Sequence, residues 1–253
     1  MTTEPNADGL APRPRRSVRF LLALMALGLL GVASMLLAPL ERALPPGIEV
    51  PRAVLLIQPA ILTVLAVLAG WWAAPKAGLD APLIGAWVEG SASPSLVPIV
   101  RDAALGGVVC AAVLLAYGAL TSGIMASGAK GFDLPLATRM LYGGITEELM
   151  LRWGFMSLIA VGIVGAFRRH RAALPAAAVI SAIVFGAGHL PALFALVASP
   201  PAWLILAVMA GNFVPGVVFA WLFIRRGLES AMLAHALTHA IAMGLAPIVL
   251  GEA

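Results

Sequence analysis

The sequence predicts an all-α polytopic membrane protein of about seven transmembrane helices, within a range of roughly six to eight, with a polar cavity between them. Three observations carry this. Of the 253 residues, 61% are hydrophobic and only 11% are charged, with a mean hydropathy of +1.00, whereas a soluble chain averages roughly 45–50% apolar and about 25% charged residues. The apolar residues fall in long runs, and a bilayer span needs about 20 of them. The few ionisable residues inside those runs stand at helical spacings. This composition excludes an ordinary cytosolic enzyme, a disordered protein and a nucleic-acid-binding domain. The net charge of +4 is scattered through loops, where Lys and Arg report topology. A single cysteine, Cys110, excludes an internal disulfide and a thiolate zinc cluster.

Residues 1–19 are polar, rich in Pro and Arg, and read as a disordered basic segment ending in Arg13, Arg15, Arg16 and Arg19. The run 20–38 is longer than a signal-peptide core and lacks a small-x-small site before Pro39, so it reads as a retained first span. The second run is 53–74. Residues 75–102 are interrupted by Lys76, Asp80, Glu89, Arg101 and Asp102 and are too polar to span; 83–88 suits the interface. Further runs are 103–125, 135–165, 173–198, 202–224 and 228–250. This divides the chain into 1–19, the N-terminal helices and interfacial loop of 20–135, and a catalytic membrane domain at 136–250.

The loops at 75–102, 166–172 and 225–227 carry Arg168, Arg169, Arg171, Arg225 and Arg226, while the opposite loops carry only Arg42, Arg52 and Lys130. The positive-inside rule therefore favours a cytoplasmic N-terminus, in an integral protein of what reads as a bacterial plasma membrane. No internal repeat is visible.

Of the 16 basic and 12 acidic residues, nearly all sit at span ends. Glu147, Glu148 and Arg152 do not, and three of the four histidines, His189, His235 and His239, are also inside spans. Each such group costs about 2.5–3.5 kcal/mol on insertion scales, a cost tolerated when the groups are paired, hydrated or useful. Counted from the outer ends, Glu147, His189 and His239 lie about ten or eleven residues deep, roughly 15–17 Å at helical rise, near the middle of a ~30 Å core. Glu148 and Arg152 are four apart and pair on one face. Glu147, rotated about 100° from Glu148 in an α-helix, has no local base and is left to face a cavity. His235 and His239 are also four apart. Phe185 precedes His189 by one turn, and Pro191 marks a bend just beyond it. The fourth span is longer than needed and is expected to tilt or kink near Gly143, Gly144 or Gly154.

A carboxylate with two or three imidazoles in a half-dry pocket suits hydrolysis: the carboxylate is a base, and imidazole orients water, donates to an oxyanion or binds a metal. Glu147, His189, His235 and His239 are numerous enough for a metal site with an open position. There is no H-E-x-x-H helix, no activated serine and no intramembrane Asp pair.

Three ordered motifs, Glu147-Glu148-x-x-x-Arg152, Phe185-x-x-x-His189 and His235-x-x-x-His239, resemble E-E-x-x-x-R, F-x-x-x-H and H-x-x-x-N of the CPBP family. This is the CAAX protease and bacteriocin-processing, abortive-infection-like group of intramembrane endopeptidases. The resemblance covers roughly 136–243. It implies a multi-helix fold with a conical cavity, a water activated by Glu147 and His189, and an oxyanion met by His235 and residue 239, with Glu148, Arg152 and Phe185 in support. Residue 239 is His where the family has Asn. It retains a donor and adds an imidazole, so a divalent metal such as zinc held by His189, His235 and His239 stands beside a metal-independent site. The implied partners are membrane lipid and a peptide or protein substrate in or near the bilayer, including prenylated peptides, with no nucleic acid. Two rivals remain from the residues alone: a proton-coupled transporter or channel, and a non-enzymatic immunity or scaffold protein.

Overall fold

Ser17 starts the first helix: its hydroxyl accepts from the Phe20 N–H at 3.3 Å, the usual N-cap device. From there the structure, a computed structural model, is helical. It describes residues 16–44, 47–128, 134–167 and 170–250, with no strand among them. The helices are α1 (Val18–Ser34), α2 (Ile57–Ala73), α3 (Pro82–Glu89) and α4 (Leu96–Gly128), then α5 (Leu136–Phe167). They continue as α6 (His170–Gly188), α7 (Leu190–Leu196), α8 (Ala202–Arg226) and α9 (Leu228–Leu250). Among the described residues, seven stretches are long and apolar enough to cross a membrane, the number read from the sequence, with α6 and α7 forming one stretch. The N-terminal residues through Arg15, Lys130, and the Arg168–Arg169 pair lie outside the described residues.

Two boundaries differ from expectation. Helix α4 begins at Leu96, seven residues before position 103, so Arg101 and Asp102 stand on its first turns; Pro98 is tolerated there because its missing N–H has no helical partner to lose. The short α3 occupies the stretch expected at the interface and presents Trp87, 82% exposed. The α8–α9 turn is made by Gly227, whose φ of 99° disfavours any residue with a Cβ.

Helix α5 is the centre of the bundle, packing on α1, α2, α6 and α9. Its middle is not α-helical. Arg139–Glu147 and Leu149–Met156 are wound as π-helix, with i→i+5 hydrogen bonds and a wider turn. Hydroxyls tie it to α1: Thr138 donates to Ser34 O at 2.8 Å and Thr146 to Gly28 O at 2.8 Å. Trp153 donates to Val67 O of α2 at 3.2 Å and lies between Phe20 and Phe223, at 5.7 and 6.4 Å between ring centroids. The glycines expected to kink this span serve instead as points of close approach. A Cβ at Gly144 would lie 2.8 Å from that of Ala236, and one at Gly154 would lie 2.7 Å from Ala66 Cβ.

Polar contacts gather at one end. Arg16 pairs with Asp80 at 2.6 Å and Glu89 at 2.7 Å. Arg226 pairs with Asp102 at 2.6 Å. Leu228 N–H donates to Asp80 O at 3.0 Å, and Ile84 N–H to Glu229 Oε1 at 2.8 Å. The start of α1, the 75–102 segment and the α8–α9 turn thus share one end, as the charge distribution requires.

Candidate active site

The two glutamates stand where the two π-helical stretches of α5 meet. In an α-helix they would diverge by about 100°, and Glu147 was expected to face away from Glu148. Both carboxylates nonetheless lie near the same imidazole on α9, one within hydrogen-bond distance and one beyond it. Glu148 Oε1 lies 2.9 Å from His235 Nδ1, and Glu147 Oε2 lies 4.0 Å from His235 Nε2. Glu148 also faces Arg152, 3.1 Å from Nη1, with both side chains fully buried. The pairing read from the i, i+4 spacing is therefore present.

Arg152 is held from three further sides. Its Nη2 donates to Gly216 O at 3.0 Å, and its guanidinium lies 4.7 Å from the Phe185 ring centroid and 5.5 Å from that of Phe219. These contacts spread the charge of a buried cation over a carboxylate, a carbonyl and two ring faces, the kind of compensation that desolvation demands.

Phe185 joins the rest. Its ring meets His189 edge-on at 4.9 Å and His235 edge-on at 5.8 Å. Helix α6 ends at Gly188 and α7 starts at Leu190, so His189 sits at the break that Pro191 enforces. His189 Nδ1 is 2.8 Å from Phe185 O. On α9, His235 stacks on Phe219 at 4.5 Å and on His239 at 5.1 Å. Contacts through His235 and Phe185 thus bring together all seven expected residues: Glu147, Glu148, Arg152, Phe185, His189, His235 and His239.

The hydrogen bonds fix tautomers. A backbone carbonyl only accepts, so His189 Nδ1 carries the proton and its Nε2 presents a lone pair. Glu148, paired with Arg152, also only accepts, so His235 Nδ1 carries its proton too. His235 Nε2, on the Glu147 side, is then the basic nitrogen of a neutral ring. His239 differs, because its Nδ1 is buried with no hydrogen-bond partner and stays available to a ligand.

A metal is not gathered by this arrangement. Among the described residues, no three or more His, Cys, Asp or Glu side chains are grouped to hold an ion. The hydrogen bonds of His189 and His235 engage Nδ1, to Phe185 O and to Glu148, and leave both Nε2 atoms open, as an imidazole that held an ion would require. The chemistry proposed below is built from side chains alone.

Residues 132–241 match the family model described as type II CAAX prenyl endopeptidase, Rce1-like. That stretch is Rce1-like. It contains all three motifs and runs from the start of α5 into α9, so the Rce1-like segment and the polar pocket coincide. The match covers 110 of the 253 residues, and the stretch it covers is built on membrane-spanning helices. No curated protein and no solved structure matches the chain.

Two contributors were not legible as functional in the sequence. Gly143 packs against the imidazoles, where a Cβ would lie 3.1 Å from His239 Nε2 and 3.5 Å from His235 Nε2. Phe219 supplies the face on which His235 lies. The Pro215-Gly216 pair inside an apolar run was the available signal for this part of α8, since it marks backbone that does something other than span.

Proposed function

We propose that the chain hydrolyses a peptide bond of a membrane-associated substrate, by a water held between Glu147 and His189. The observation that supports this most is the placing of His235 between Glu148, which it hydrogen-bonds, and Glu147, 4.0 Å away, with His189 across the Phe185 ring. Glu147 is the ionisable group left without a strong partner, and its side chain is 20% exposed, so it faces the pocket while Glu148 is consumed in structure.

In this reading the water donates one hydrogen toward Glu147 and one toward His189 Nε2, and its oxygen attacks the scissile carbonyl carbon. The water's proton passes to Glu147. The oxyanion meets His239 and, once protonated at Nε2, His235. The nearby Glu147 carboxyl is the source of that proton, which makes the two residues a single proton-holding unit. Collapse of the intermediate breaks the C–N bond, and the amine leaves with the proton held by this unit. A positioned general base contributes roughly 10²–10⁴ in rate, and a preorganised oxyanion donor a similar factor.

The family's description names prenylated CAAX ends, so lipidated C-terminal peptides are the first substrates to try. The basic loops place the N-terminus in the cytoplasm in this reading, and a bacterial plasma membrane suits the composition. Full-length protein in detergent or nanodiscs, offered a panel of prenylated and unprenylated peptides, is expected to cleave at least one. Glu147→Gln and His189→Ala are each expected to lower that rate by roughly a hundredfold or more while keeping the wild-type melt. Undiminished cleavage by Glu147→Gln would remove the base and with it the mechanism.

A further inference from the structure

Outside the active site, a groove of about 370 Å³ runs down the lipid-facing side of the bundle between α4 and α8. Its walls are Leu105, Gly106 and Val109 from α4 and Val217, Val218 and Trp221 from α8, and Asp102 stands at its mouth. Gly106 lets the helices close at its back, since a Cβ there would lie 2.9 Å from Leu222 Cδ1. Nothing in the proposed catalysis uses this groove.

The mouth is basic. Arg226 holds one oxygen of Asp102 at 2.6 Å and Arg101 the other at 2.8 Å. The Arg101 side chain remains 62% exposed. Arg225, also exposed, lies 5.6 Å from the Trp221 ring centroid. Three guanidinium groups against one carboxylate leave an excess of two positive charges above an apolar slot. Depth agrees with this. Trp221 and Val217 lie one and two turns below Arg225, so the slot extends roughly 6–12 Å beneath the arginines at helical rise. Headgroup phosphate and the first acyl methylenes are separated in the same way. Tryptophan at that level is characteristic of the membrane interface, and basic pockets between helices on the cytoplasmic side attract anionic headgroups.

We infer that this groove is a binding site for one anionic phospholipid, its phosphate between Arg101 and Arg225 and an acyl chain along Leu105, Val109 and Val218. The inference stands apart from the catalytic reading. It is tested on the full chain in mild detergent by native mass spectrometry with phosphatidylglycerol and phosphatidylcholine of identical acyl chains. The wild type is expected to retain one phosphatidylglycerol in preference to phosphatidylcholine. The double variant Arg101→Gln/Arg225→Gln keeps Arg226 on Asp102 and is expected to lower phosphatidylglycerol retention by roughly thirtyfold, the size set by two arginines near an anionic surface. Val109→Trp fills the slot from an exposed position (Val109 is 53% exposed) and is expected to displace the lipid with the arginines intact. Lipid-free melts of both variants, matching the wild type, show that folding is kept. Equal retention of the two lipids by the wild type, or unchanged phosphatidylglycerol retention in either variant, overturns the assignment. So does preferential capture of a prenyl alcohol over phosphatidylglycerol in the same slot.

Discussion

Glu147 and Glu148 are neighbours in sequence and opposites in environment, and the difference is measurable. Glu148 is fully buried against Arg152 and His235. Removing its charge strands a guanidinium inside the bundle, and breaking one partner of a buried pair costs about 3–5 kcal/mol. Glu148→Gln is therefore expected to melt well below the wild type in detergent and to lose activity as a consequence. Glu147, partly exposed and 4.0 Å from its nearest imidazole nitrogen, has little to lose: Glu147→Gln is expected to melt within about 0.5 kcal/mol of the wild type. Thermal melts of the two glutamine variants side by side check this, and coincident melting temperatures would show that the roles are not divided. The sequence already allowed the division, since only Glu148 has a base four residues on. It could not show that both acids lie near one histidine, because that depends on how α5 packs on α9, which residue spacing along one helix does not give.

At the scale of elements, the span read as over-long is the one that carries the site, and its glycines distinguish packing from bending. Gly144 and Gly154 face backbone or Cβ atoms of Ala236 and Ala66 at under 3 Å from an added methyl. A rigid neighbour cannot yield there, and overpacking costs about 1–3 kcal/mol. Gly144→Ala and Gly154→Ala are expected to lower the melting temperature accordingly. Gly162, with nothing within 4 Å of its added Cβ, is an internal control, and Gly162→Ala is expected to be neutral or slightly stabilising because alanine is the better helix former. Gly143→Ala separates function from packing: its Cβ meets the imidazoles rather than backbone, so cleavage should fall further than stability. Melting and cleavage measured on the four variants check the series, and a Gly144→Ala protein as stable as Gly162→Ala would mean that α5 and α9 can part without cost. Helix existence and order were readable from the apolar runs because lipid enforces both. The early start of α4 was not, since Arg101 and Asp102 look like loop residues until Arg226 is seen to neutralise Asp102 from another helix.

For the whole molecule, the seven spans and the meeting of three distant motifs followed from the sequence, whereas the device that closes the bundle at the Arg16 end did not. Arg16 makes a two-pronged contact with Asp80, Nε to Oδ1 at 3.1 Å and Nη2 to Oδ2 at 2.6 Å, and its Nη1 reaches Glu89 at 2.7 Å. The Ser17 N–H donates to Glu89 Oε1 at 3.0 Å, and Trp71 Nε1–H donates to Arg16 O at 3.0 Å. These bonds link the start of α1 to the end of α2, to the loop that bonds α9, and to α3. Residue 16 therefore belongs to the folded body, although it fell within a segment read as disordered. The Ser17 N–H, and after it Arg16, hold the Glu89 carboxyl below its usual range. A depressed carboxylate contributes stability that is present above its unfolded value and is lost as pH falls through its folded value. Glu89→Gln is accordingly expected to melt below the wild type at neutral pH, by about 1 kcal/mol or less since the pair is partly exposed, and the gap should begin to narrow as pH falls through the ordinary glutamate range and close only below the depressed folded value. Thermal melts of the two proteins in detergent at neutral and acid pH check this. A gap that persists unchanged into acid would mean that Glu89 acts through packing rather than charge, leaving Asp80 as the carboxylate that pairs with Arg16 at the start of α1.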